Sequence, residues 1–212
     1  KQAGEYYAQV LKAKPDKHEA AYNWGYALAQ EAQALAKSGD LPAARALWKE
    51  AGKRYAQALK IKPDMHEAAY NWGYALAQEA QALAESGDLP AARALWQQAG
   101  KRYAQALEIK PDKHEAANNW GRALDDEAQA LTERGDLPAA RALWRQAGER
   151  YAQALAIKPD YYEVFNNWGN ALYHEAQALA KSDLPTAQAL WWQAGERYAQ
   201  ALAIKPDYHK AA

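Results

Sequence analysis

The residues of this 212-residue chain whose types suit acid–base or metal chemistry are its five histidines and the carboxylates near them. His18, His66, His114 and His209 fall at equivalent places near the starts of successive segments. A zinc ion needs ligands within roughly 2 Å, whereas equivalent positions on neighbouring packed helices lie about 8–10 Å apart. That spacing reads as surface residues, and no metal is expected. His174 beside Glu175, with Asp125 and Asp126 one segment earlier, is the grouping that most resembles an acid–base site. It occurs once, with no nucleophile or oxyanion donor implied beside it. The chain has no cysteine, so it offers no thiolate ligand and no cysteine nucleophile. Its glycines sit at turns and packing positions and form no phosphate-cradling loop. Neither an enzyme nor a cofactor is expected.

Composition narrows the partners. Lys plus Arg and Asp plus Glu both number 26, for a formal net charge of zero. A nucleic-acid binder usually carries a basic excess, so that partner is disfavoured. No apolar run approaches the roughly 18 residues of a membrane span, and no signal peptide is visible. A membrane partner is not expected. Met65 is the one methionine, so the chain reads as a processed product or a piece of something longer. Without cysteine the compartment stays open, with the cytoplasm as first choice.

The elements that carry these residues repeat. Asn23-Trp24-Gly25 returns as Asn71-Trp72-Gly73, Asn119-Trp120-Gly121 and Asn167-Trp168-Gly169, each 48 residues on. A fixed period of this size marks stacked units, none able to bury its own apolar face alone. Each unit reads as two helices of about 20 residues, rich in Ala, Leu, Gln and Glu. Asp64 with Glu67 three residues later predicts a capping box for the first helix, as do Asp16/Glu19, Asp112/Glu115 and Asp160/Glu163. Gly87 suits the left-handed end of that helix, and Asp88 caps the next, with Pro90 in its first turn. The domain reading is one repeat domain over 1–212. It comprises a leading second-type helix at 1–15, repeats at 16–63, 64–111, 112–159 and 160–206, and the start of a further helix at 207–212. The fourth repeat has Ser182-Asp183 where the others have a Gly before Asp, so its turn should differ.

The skeleton resembles the tetratricopeptide repeat. In the first hairpin the matching residues are Trp24-Gly25, Leu28, Gly39-Asp40, Ala44, Tyr55, Ala58 and Pro63. The family period is about 34 residues, so each helix here carries about seven more. The surplus reads as a duplicated heptad, with Gly25 echoed by Ala32, Leu28 by Leu35, and Trp48 by Tyr55. Seven residues make two helical turns, which keeps the packing seam on one face. The resemblance implies an all-α, right-handed α-solenoid of antiparallel helical hairpins, with nine helices. It also implies a protein–protein interaction scaffold that binds a peptide or protein segment in a concave groove lined by the first helices. By position, that groove comprises Tyr22, Asn23, Tyr26 and Gln30, then Tyr70, Asn71, Tyr74 and Gln78. It continues with Asn118, Asn119, Arg122, Asp125 and Asp126, and with Asn166, Asn167, Asn170, Tyr173 and His174. Asn23, Asn71, Asn119 and Asn167 resemble the family asparagine that hydrogen-bonds a bound backbone. Family members that clamp a C-terminal carboxylate use Lys and Arg on successive first helices; only Arg122 is basic here, so that partner is not expected.

Several packing expectations follow. Gly25, Ala32, Ala44, Ala51 and Ala58 form a small-residue seam, with Trp24, Trp48 and Tyr55 filling between helices. Glu31, Glu79, Glu127 and Glu175 lie level with the second-helix tryptophans and are candidate acceptors for their indole N–H groups. Arg54, Arg102, Arg150 and Arg197 lie level with the first-helix tryptophans and are placed to stack on them. The near-identity of repeats one and two also suits self-association end to end, the alternative to a binding groove.

Overall fold

The computed structural model describes residues 2–207, with side chains from Gly4 onward. Of the expected further helix at 207–212, only Asp207 is described; Tyr208 to Ala212, His209 among them, lie outside the described residues. Among the described residues the regular structure is nine helices and no strand. Two compact units divide at a repeat boundary, between Pro111 and Asp112. The first holds α1 (Gln2–Ala13), α2 (His18–Lys37), α3 (Leu41–Ile61), α4 (His66–Glu85) and α5 (Leu89–Ile109). The second holds α6 (His114–Glu133), α7 (Leu137–Ile157), α8 (Tyr162–Leu179) and α9 (Leu184–Ile204). Helices α2 and α3, α4 and α5, α6 and α7, and α8 and α9 pair as hairpins.

The hairpin turns follow from three residue types. Gly39, Gly87 and Gly135 take φ of 90°, 91° and 80°, the left-handed region closed to most side chains. The next residue, Asp40, Asp88 or Asp136, accepts a hydrogen bond from the backbone N–H three positions on, at 3.1–3.2 Å. A proline then occupies the first turn, where no intrahelical partner for its missing N–H is needed. In the fourth hairpin Asp183 still caps its helix, through Thr186 N–H at 3.2 Å. Without the glycine, however, α8 stops after 18 residues where α2, α4 and α6 run for 20.

The expected capping boxes do not form. The first helices begin one turn-residue later, with Lys17, Met65, Lys113 and Tyr161 at the cap and no side-chain hydrogen bond there. The Pro-Asp pair is consumed by a tight turn instead, in which the Asp64 carbonyl accepts from His66 N–H at 3.1 Å. Asp16 does the same for His18, and Asp160 for Tyr162. Glu19 and Glu115 therefore stand inside the first turn, where a carboxylate complements the helix N-terminus. Glu19 accepts its own backbone N–H, which holds its carboxyl below the usual range.

The small-residue seam is as expected. Ala32, Ala44, Ala51 and Ala58 have no exposed surface, and Gly25 is buried beside them. A methyl on Gly25 would stand 3.1 Å from the Tyr55 ring, and on Gly73 3.0 Å from Tyr103. Glycine is thus what lets α2, α4 and α6 each lie against a fully buried tyrosine of the partner helix, while the Tyr198 that faces Gly169 is half-buried. The same device packs repeat on repeat. A Cβ on Gly52 of α3 would lie 3.2 Å from the Trp72 indole of α4, and on Gly148 of α7 3.5 Å from Trp168 of α8.

All four arginines stack as expected. Arg54, Arg102, Arg150 and Arg197 lie 3.6–3.9 Å from the ring centres of Trp24, Trp72, Trp120 and Trp168. Each guanidinium is held by a glutamine three residues on, such as Gln105 at 2.9 Å from Arg102. Glu79 and Glu175 are not the indole acceptors. They turn towards the preceding repeat, where they meet Arg45 at 3.8 Å and Arg141 at 3.4 Å. Burial raises the carboxyl pKa of both, against the pull of the arginine. The indole of Trp144 donates instead to Asp125 at 2.8 Å, and those of Trp96 and Trp191 have no protein acceptor.

Candidate functional site

In the first unit the expected groove residues lie on α2 and α4. Tyr22 and Tyr26 stand one turn apart, with ring centres 6.5 Å apart. Tyr22 is half-buried against Tyr55, at 6.2 Å, while Tyr26 keeps 46% of its surface exposed. Tyr70 repeats the first of these contacts on Tyr103, and Tyr74 is half-buried. Two polar bridges tie the helices together across this face. Asn71 donates to the Tyr22 hydroxyl at 2.9 Å and to the Glu67 carbonyl at 3.0 Å. Gln33 donates to Gln78 at 2.9 Å. Both amide hydrogens of Asn71 are thereby engaged, leaving its carbonyl oxygen for other contacts, whereas Asn23 and Gln30 are exposed.

A hydroxyl that accepts can still donate. Tyr22 takes the Asn71 hydrogen and keeps its own proton to donate. Burial pushes the Tyr22 phenol above its ordinary pKa, with a further push from Glu67, so it keeps that proton at neutral pH. The tyrosines, asparagines and glutamines of this face, namely Tyr22, Asn23, Tyr26, Gln30 and their α4 counterparts, are all uncharged.

The face of α6 and α8 in the second unit has different chemistry. Asn118 and Asn166 occupy the tyrosine position and are buried, at 4% and 5% exposure. Asn118 accepts from Asn167 at 3.0 Å, the counterpart of the Tyr22–Asn71 bridge. Asn119 and Asp126 are half-buried, while Arg122 and Tyr173 are exposed. Asn170 accepts from the Tyr198 hydroxyl at 2.9 Å. His174 is brought to Asp125, its Nδ1 lying 3.1 Å from both carboxylate oxygens. Asp125 is buried and also receives the Trp144 indole, so one carboxylate ties α6, α7 and α8 together. Burial alone would lower the His174 pKa, but the Asp125 hydrogen bond and the charges of Asp125 and Asp126 outweigh it and raise the value.

Two features went unread in the sequence. A cleft of about 470 Å³ opens between α3, α4 and α5, walled by Trp48, Trp72, Leu76 and Leu95 with Arg45 and Glu79 beside them. Its signal was present in the recurrence of Arg45 and Glu79 at matching places. On α9, Trp192 is 73% exposed at the position held by Lys49, Gln97 and Arg145 in the other repeats. A break in an otherwise strict repeat was the available cue.

Paired helices with a glycine-on-tyrosine seam, a Gly-Asp-Leu-Pro turn and a Trp-Gly first helix define a tetratricopeptide-like repeat fold. Among solved structures, two crystal structures of MamA share it, with TM-scores of 0.58 and 0.56. Each is 18% identical to this chain; the superpositions cover 98% and 97% of it and 89% and 84% of the MamA chains. A looser match, at a TM-score of 0.39 and 15% identity, is YrrB, described as a TPR protein with an unusual peptide-binding site. It covers 98% of this chain and 96% of YrrB. No family model and no curated protein matches the sequence.

Proposed function

We propose that this chain is a non-enzymatic interaction scaffold that holds a peptide or protein segment on its first-helix faces. The observation that carries this reading is the face of α2 and α4, where Tyr22, Tyr26, Tyr70 and Tyr74 line up over two adjacent repeats. Tyrosine supplies a large amphipathic contact area at low entropic cost. The bridge from Asn71 to Tyr22 fixes one ring of the set before any partner arrives. In the second unit, Asn118, Asn119, Arg122, Asp126, Asn166, Asn167, Asn170, Tyr173 and His174 form a polar counterpart that meets polar side chains of a partner.

The test compares capture of a partner from native lysate by the parent chain and by the Tyr26→Ala/Tyr74→Ala variant. These two positions are chosen because Tyr26 is exposed and Tyr74 half-buried, whereas the rings of Tyr22 and Tyr70 lie against Tyr55 and Tyr103. A partner held by the parent and lost by the variant supports the face; equal capture by both removes it. A second reading, self-association, is favoured by the exposed Trp192 alone. A Trp192→Ala variant that sediments as the parent does at every concentration would dismiss it.

A further inference from the structure

Inside each unit the chain joins repeat to repeat by laying a tryptophan on a glycine. A Cβ on Gly4 of α1 would lie 3.5 Å from the indole nitrogen of Trp24 on α2, and on Gly52 of α3 3.2 Å from that of Trp72 on α4. On Gly148 of α7 it would lie 3.5 Å from that of Trp168 on α8. In these contacts the second-type helix brings the glycine and the next first-type helix the tryptophan. Gly195 of α9 holds the same place in its repeat, and nothing lies within 4 Å of it. Around it, Trp191 and Tyr198 are half-buried, where Trp48, Trp96 and Trp144 are 3–4% exposed and Tyr55, Tyr103 and Tyr151 are fully buried.

Two substitutions set α9 apart from α3, α5 and α7. Gln188 stands where they carry Arg45, Arg93 and Arg141, and Arg45 and Arg141 pair with Glu79 and Glu175 of the following first helix. The anchor for a further first-type helix is thus missing. Trp192 stands where they carry Lys49, Gln97 and Arg145. Helix α9 therefore displays both halves of a contact that the other repeats divide between two helices, an open glycine and an exposed indole. Both border one hollow of about 320 Å³, with Trp191, Glu196 and Ala199. That is the low end of the roughly 300–1,000 Å³ of ligand pockets and admits one aromatic group.

We infer that two copies of this chain pair through α9 about a twofold axis, the Trp192 indole of each seated on Gly195 of the other. A surface that carries both a knob and its socket is self-complementary, the condition for an isologous dimer. Trp192 and Gly195 are three residues apart, so they share one helix face. In an antiparallel pair of α9 helices, the register that sets Trp192 against Gly195 also sets Gly195 against Trp192. Gln188 and Trp192 remove the cations that α3 and α7 carry at these two positions, so no like charges meet there. Glu196, the one charge among the residues bordering the hollow, falls opposite Trp191 in this register and away from the second Glu196. The inference rests on the self-association reading above and gives it a face and a symmetry. A contact of one helix per copy belongs with the small interfaces, below roughly 1,200 Å² in total. The pair therefore forms in concentrated solution, and the dilute chain is a monomer with Trp192 open to water.

The experiment is sedimentation equilibrium of the full chain from low micromolar to near-millimolar concentration. A monomer–dimer equilibrium with no larger species is expected. Trp192→Lys should abolish the dimer across that range. Gly195→Leu, which keeps the indole and fills its socket, should weaken it roughly tenfold or more. Unchanged helicity by circular dichroism certifies each variant. A strict monomer, or a dimer that Trp192→Lys leaves intact, overturns the inference together with the self-association reading. Loss on Trp192→Lys but not on Gly195→Leu leaves that reading standing and overturns the twofold pairing, as do species that grow beyond the dimer. A peptide of the α4 sequence, His66–Glu85, is titrated as the competing occupant. Saturable binding of that peptide by a chain that stays monomeric assigns the face to a first-type helix and overturns the pairing.

Discussion

Gly121 and Gly195 sit in helices of the same unit and answer oppositely to an added methyl. At Gly121 the methyl carbon would fall 2.7 Å from the ring of Tyr151, which is fully buried and cannot move aside. Overpacking of this kind costs about 1–3 kcal/mol, against the roughly 1 kcal/mol that alanine contributes in a helix. Gly121→Ala should therefore lower the urea midpoint. At Gly195 nothing lies within 4 Å, so only the helix preference acts. Gly195→Ala should stabilise by about 0.5–1 kcal/mol in the same titration. The pattern Trp-Gly was legible in the sequence, but which glycine faces a ring and which faces solvent was not, because periodicity fixes level along a helix and leaves the neighbour unspecified. The same limit explains the glutamates. The side chain of Glu79 leans to the preceding repeat and Arg45, and the Trp96 indole has no protein acceptor.

At the scale of the element, the turns were the most legible part of the chain. Gly135 and Asp136 have separable roles that two variants should resolve. Gly135→Ala meets no atom within 4 Å but keeps a φ of 80°, so its cost is backbone strain of about 1–2 kcal/mol. Asp136→Ala loses the cap on Ala139 N–H and should cost about 1 kcal/mol. Both are read as shifts in the denaturation midpoint without change in the helical signal. Helix starts were misread because Pro-Asp is compatible with two local structures. As a cap, Asp64 would bond forward into the helix; in the structure its carbonyl closes a turn on His66. The choice depends on the chain direction entering from α3, which local sequence does not encode. Of the candidate face, Tyr22 and Tyr26 were legible as neighbours, but their division into half-buried shelf and exposed ring depends on Tyr55. The Asp125 carboxylate that joins three helices is likewise a product of tertiary packing.

Across the molecule, His174 sets a pH dependence that belongs to the second unit. Its folded pKa is raised above the usual value of 6.5. The stability it contributes is thus full below 6.5 and is lost as pH rises through the higher folded value. Thermal unfolding should fall in midpoint over that window, and His174→Gln should flatten the slope. A carboxylate partner explains the sign, since protonated imidazole is the form Asp125 holds. The stacked arginines have a further, photophysical consequence. Of nine tryptophans, four carry a guanidinium roof over the indole, while Trp192 stands open to water. Acrylamide should quench the native emission in two classes, a readily reached one dominated by Trp192 and a sheltered one that opens only on unfolding. Removing Trp192 would leave an emission whose quenching reports the seating of the repeats alone, an optical gauge written into the chain by the pairing that also packs it.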